Sequence, residues 1–91
     1  LVSTLYEANI GTTITKYFRF SAENNRIYTI SFDSRYGVWF RVFLDVGNEF
    51  VYKLEASDSI KVHRFSGDVI IEFGNSDSQK GRTIDFLITE E

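Results

Sequence analysis

The chain has 91 residues, 43% of them hydrophobic and 25% charged, and a formal net charge of −3. Such a chain holds one domain with one core and is not a disordered tract. The mild, mixed charge argues against nucleic acid or an anionic membrane surface as a partner, and no apolar run nears the ~20 residues that span a bilayer.

The chain begins at Leu1 instead of methionine. This suggests a processed mature form, such as one left after signal-peptide removal, or a segment cut from a longer chain. Leu1 to Glu7 reads as a first strand, turning at Asn9, Ile10 and Gly11. Its Leu1 to Tyr6 stretch closes the protein's own sheet or lies along the edge of a second subunit as a donated strand. The second strand, Thr12 to Phe20, sets Ile14, Phe18 and Phe20 against Thr13, Thr15, Tyr17 and Arg19. That alternation belongs to a sheet with one wet face, since successive side chains of a strand point to opposite sides. Ala22-Glu23-Asn24-Asn25 follows as turn chemistry and predicts a hairpin.

The third strand, Arg26 to Phe32, puts Tyr28, Ile30 and Phe32 on its core face. If that assignment is right, Phe20→Ala or Ile30→Ala costs about 2–5 kcal/mol. After Asp33-Ser34-Arg35-Tyr36-Gly37 comes Val38 to Val46, where Val38, Phe40, Val42 and Leu44 alternate with Trp39, Arg41, Phe43 and Asp45. Two large aromatics therefore lie opposite the core. Gly47-Asn48 reads as a tight hairpin turn. Three more strands follow, Phe50 to Leu54, Ile60 to Phe65 and Val69 to Phe73, separated by Ser57-Asp58-Ser59 and Gly67-Asp68. The eighth, Thr83 to Thr89, lies beyond a polar loop from Gly74 to Gly81. No helical spacing is sustained. The pattern predicts an all-β, antiparallel β-sandwich of about eight strands, jelly-roll or immunoglobulin-like, with essentially no helix.

Tyr17-Phe18-Arg19-Phe20, the Asn turn, Tyr28-Thr29-Ile30-Ser31-Phe32, Ser66-Gly67-Asp68-Val69-Ile70-Ile71-Glu72-Phe73 and Ile84-Asp85-Phe86-Leu87-Ile88 resemble bacterial and archaeal prepeptidase C-terminal domains. With Phe73-Gly74-Asn75-Ser76, the same stretch also looks like a GOLD-type β-sandwich. The resemblance covers roughly residues 12 to 89 and implies a non-catalytic, extracellular module. The glycine usual in the turn before the third strand is replaced by Asn24-Asn25, and no acidic calcium cluster can be matched, so no functional residue is carried over.

Chemistry is sparse. Cysteine, methionine and proline are absent, which excludes disulfides, a thiol nucleophile and Cys-based zinc sites, and low Cys and Met content also accompanies thermophile origin. His63, the one histidine, has no neighbouring nucleophile and reads as a surface residue. The thirteen acidic residues show no spacing that predicts paired carboxylates. No enzyme and no cofactor is expected. Asp33, Asp45, Asp58, Asp68 and Asp77 lie in or beside turns, where calcium is possible, although Asp favours turns for conformational reasons alone. The loop between Gly74 and Gly81 lacks a following helix to hold phosphate and reads as solvated.

The sharpest candidates are Tyr36, Trp39 and Phe43, which form an aromatic binding patch unless a loop or a second sheet covers them. The sequence thus predicts a non-enzymatic extracellular or cell-surface module. It would bind a protein, or assemble with itself through its sheet edges as a filament or surface-layer subunit. The alternative is a carbohydrate-binding or accessory domain of a secreted hydrolase.

Overall fold

The structure is a computed structural model, described over residues 2–12, 15–32, 38–46, 49–55, 59–76 and 79–91, with backbone only at 46 and 49–55. Its strands are β1 (Val2–Ile10), β2 (Thr15–Ala22), β3 (Ile27–Phe32), β4 (Val38–Val46), β5 (Glu49–Glu55), β6 (Ser59–His63), β7 (Gly67–Asn75) and β8 (Arg82–Glu90). No helix occurs among the described residues. Two antiparallel sheets run β1-β8-β3-β6 and β2-β7-β4-β5. Strands pair as β1 with β8, β2 with β7, β3 with β6 and β4 with β5. The chain is therefore one long hairpin, folded at β4–β5 and rolled so that alternate pairs join alternate sheets. That nesting is the connectivity of a jelly roll.

The period-2 pattern explains the core. Tyr28, Ile30 and Phe32 of β3 and Ile84, Phe86 and Ile88 of β8 are buried from one sheet. Val38, Phe40 and Val42 of β4 and Val69, Ile71 and Phe73 of β7 meet them from the other. Phe32 stacks on Phe40 across the sandwich with ring centroids 3.5 Å apart. Ile30 is fully buried, whereas Phe20 is partly buried against Tyr28 at 5.3 Å. Alanine at either position is accordingly expected to cost roughly 2–3 kcal/mol. A cost below about 0.5 kcal/mol at both in urea denaturation would mean that the faces are inverted.

Several boundaries differ from the sequence reading. Asn9 and Ile10 are not in a turn: both lie in β1, and Ile10 is fully buried. Ala22 ends β2 as a buried residue. The Asn24-Asn25 turn, held by Arg26 N–H donating to Glu23 O at 3.1 Å, does not make a hairpin. It carries the chain from one sheet to the other, because β2 pairs with β7 and β3 with β6 and β8. Ser59 belongs to β6, which stops at His63, where Arg64 takes a left-handed φ of 55°. Phe65 consequently lies outside the strand and packs against the core.

Gly67 and Asp68 begin β7, and Gly74 and Asn75 end it, so the polar loop is shorter than its composition suggests. Asn75 is 3% exposed, and its amide donates to Gly11 O at 3.2 Å and Lys80 O at 3.0 Å. A buried polar side chain is tolerated here because it satisfies two loop carbonyls. The Asp33–Gly37 and Gly47-Asn48 turns lie outside the described residues.

Candidate binding face

Central strand β7 contains Val69, Ile70 and Ile71 in succession, and all three are buried. Val69 and Ile71 enter the core, so Ile70 must face outward, yet it is only 4% exposed. The cover comes from its neighbours. Ile70 is opposite Arg19 on β2 and Phe43 on β4. Tyr17, Arg19, Phe43, Ile70 and Glu72 line a shallow depression of about 360 Å³ on this outer face.

Cross-strand pairing explains the rest of the face. Glu72 is opposite both Tyr17 and Arg41. Tyr17 Oη donates to Glu72 Oε2 at 2.7 Å, and Arg41 Nη1 lies 3.7 Å from Glu72 Oε1. Two rows away, beyond Ile70, Asp68 accepts from Ser21 Oγ at 3.2 Å and from Arg19 Nη1 at 3.5 Å. The arginines stand higher than their partners: side-chain exposure is 39% for Arg41 against 13% for Glu72, and 61% for Arg19 against 37% for Asp68. Although the chain is net acidic, this face presents guanidinium groups and aromatic edges. The outer face of the other sheet contrasts, with Ser3 and Thr89 hydroxyls 3.0 Å apart and the Thr83 hydroxyl donating to Asn9 Oδ1 at 2.6 Å.

Trp39 and Phe43 thus lie on one outer face and are half-buried, as the alternation predicted, while Tyr36 lies outside the described residues. Trp39 is opposite Gly74, and a Cβ on Gly74 would sit 2.0 Å from two indole carbons. The indole therefore rests on bare backbone. Arg41 places its guanidinium carbon 5.0 Å from the ring centroid, a cation–π contact. Both contacts engage the ring within its own sheet and compete with a stacked sugar.

Tyr17, Arg19, Ile70 and Glu72 were not singled out from the sequence. The signal was present in the unbroken apolar run Val69-Ile70-Ile71, which marks a strand covered on both faces.

The hydrogen bond to Glu72 raises the Tyr17 phenol above its ordinary value of 10.0, with desolvation and the carboxylate's charge adding to it. The folded state thus favours the neutral phenol. Its contribution to stability is present below pH about 10 and is lost as pH rises from there through the folded value. Absorbance titration should show a tyrosine titrating late, and Glu72→Ala, which removes both the acceptor and the charge, should lower it toward the ordinary range. A late tyrosine that survives Glu72→Ala would refute the pairing.

His63 is exposed at the end of β6. Asp45 and Asp68 are opposite one another on β4 and β7, while Asp33, Asp58 and Asp77 lie outside the described residues. Among the described residues, no three His, Cys, Asp or Glu side chains come together as metal ligands. No helix there is long and apolar enough to cross a membrane.

These features define an antiparallel sandwich with one outer face that carries aromatic rings and paired arginines. No protein-family model matches the sequence, and no curated protein matches it. Among solved structures, the fold is similar to that of Aeromonas hydrophila PliG, a periplasmic lysozyme inhibitor of g-type lysozyme. The TM-score is 0.71 over 98% of this chain and 86% of that one, at 12% identity. At that identity the likeness is one of fold.

Proposed function

We propose that the chain is a non-enzymatic protein-binding module of the cell envelope or extracellular space, working through the outer face of β2-β7-β4-β5. The observation that carries this reading is the outer face on which Tyr17, Arg19, Phe43 and Glu72 surround the covered Ile70, with Arg41 and Trp39 continuing it along β4. Aromatic residues and arginine are the types enriched where proteins bury surface against one another, and they supply most hot spots. The sandwich shared with a periplasmic protein inhibitor is compatible with the same class of role, as is the resemblance to prepeptidase C-terminal domains.

The first partner to test is a g-type lysozyme, with lysozymes of other classes alongside, by calorimetry and by the rate of cell-wall lysis. Trp39 is the only tryptophan, so its fluorescence reports from the face itself. The expected result is saturable binding that Arg19→Glu and Phe43→Ala each weaken at least tenfold. A partner whose affinity neither change alters would show that the face is misassigned. A polysaccharide that shifts Trp39 emission, with no protein bound, would replace this reading with the carbohydrate-binding one.

A further inference from the structure

Each sheet exposes two edge strands, and three of the four edges carry features that discourage pairing with another chain. β6 has five residues, includes Lys61 and His63, and ends at the left-handed Arg64. β2 carries Lys16 and Arg19. β5 carries Lys53, and its pairing with β4 shifts register at Leu44 and Asp45. Short length, lysines and bulges are the usual protections of a sheet edge.

β1 has none of them. Its nine residues pair with β8 one to one, from Val2 opposite Glu90 to Ile10 opposite Arg82, without a bulge. Glu7 is its one charge, and it has no proline. The strand extends about 30 Å at ~3.4 Å per residue, with its outer row of backbone donors and acceptors free for another strand. Its side chains are also under-covered. Leu5 is 68% exposed on the outer face, beside Leu87. Val2 is 60% exposed despite lying on the core-facing row. Openings of about 210 and 320 Å³, both lined by Tyr6, lie between β1 and β2 on either side of the Tyr6–Phe18 contact.

We propose that β1 pairs with β1 of a second copy of this chain, antiparallel about a two-fold axis through Leu5, joining two four-stranded sheets into one of eight. A two-fold interface must be self-complementary, and pairing preserves faces only when opposed residue numbers sum to an even value. Among such registers, the one centred on Leu5 sets Leu5 against Leu5 and makes an outer row Leu87-Leu5-Leu5-Leu87. It places Glu7 opposite Ser3, so no like charges meet. On the core-facing side it sets Val2 against Ala8 and Thr4 against Tyr6, covering the exposed Val2. Centring on Tyr6 instead would oppose Leu5 to Glu7 twice. This inference is independent of the aromatic face.

Sedimentation of the whole chain across a hundredfold concentration range tests it. The mass should rise from 10.5 kDa toward twice that value, and Leu5→Lys, which opposes two lysines at the axis, should hold it at the lower value. The native chain has no cysteine, so Leu5→Cys introduces a single thiol at the axis. Opposed residues place their Cβ atoms about 4.5–5.5 Å apart, close to disulfide reach. With oxidised glutathione, Leu5→Cys should form a disulfide dimer at least tenfold faster than Ser3→Cys, which faces Glu7 in this register. A mass that stays at 10.5 kDa, a dimer indifferent to Leu5→Lys, or equal cross-linking at both positions overturns the proposal. A monomer whose Leu5→Lys variant instead loses a foreign partner would assign the edge to that partner.

Discussion

Phe86→Ala is expected to remove about 4 kcal/mol of stability, within the range for loss of a buried ring. Phe86 is 2% exposed, and its ring centroid lies 5.1 Å from Tyr6, 5.2 Å from Phe18, 5.0 Å from Phe73 and 6.0 Å from Phe32. Those rings come from β1, β2, β7 and β3, so Phe86 joins both sheets. Rings held on four separate strands cannot close together over the missing side chain, and the cavity persists. A domain of this size has roughly 5–14 kcal/mol in total. With a urea slope of roughly 1.5 kcal/mol/M, the midpoint should fall by about 2–3 M at unchanged slope. A fall of less than about 1 M would mean that the core collapses around the site and that the four rings are not rigidly placed.

Gly74→Ala is expected to destabilise the protein by about 3 kcal/mol, although alanine for glycine in an unstrained strand is ordinarily favourable by a few tenths. The reason is steric. The added Cβ would fall 2.0 Å from two carbons of the Trp39 indole and 2.5 Å from its Nε1, so the ring must leave its bed. The accompanying signal is a red shift of the single tryptophan's emission. Replacing Trp39 with leucine should rescue much of the loss, and a coupling of about 1 kcal/mol or more in the double-mutant cycle would locate the clash between these two residues. A neutral Gly74→Ala with unchanged emission would show that the indole does not lie on β7.

Alternation alone carried β4, whose limits Val38 and Val46 coincide with the sequence reading, and the core faces of β2 and β3. It carried Trp39 and Phe43 to an outer face for the same reason. Pairing was not legible, because a turn such as Asn24-Asn25 has the same local chemistry whether it joins neighbours in one sheet or crosses between two. Without pairing, Tyr17, Ile70 and Trp39 could not be gathered onto one surface, since their adjacency depends on register between distant segments. Gly74 and Asn75 were read as loop for a related reason. Small and polar residues usually mark solvent, and here one makes room for an indole while the other ties two loops together.

The nested pairing also sets an order in time. The turn between β4 and β5 closes a short loop, whereas joining Val2 to Glu90 brings together residues at nearly opposite ends of the chain. Loop-closure entropy and the slow folding of non-local sheets favour a ribbon that zips outward from β4–β5, each pair shortening the loop the next must close. β1 is then the last strand laid down and the first to lift away. Hydrogen exchange should find its amides the least protected of the eight strands, and refolding should pass through a sandwich whose β8 edge is bare.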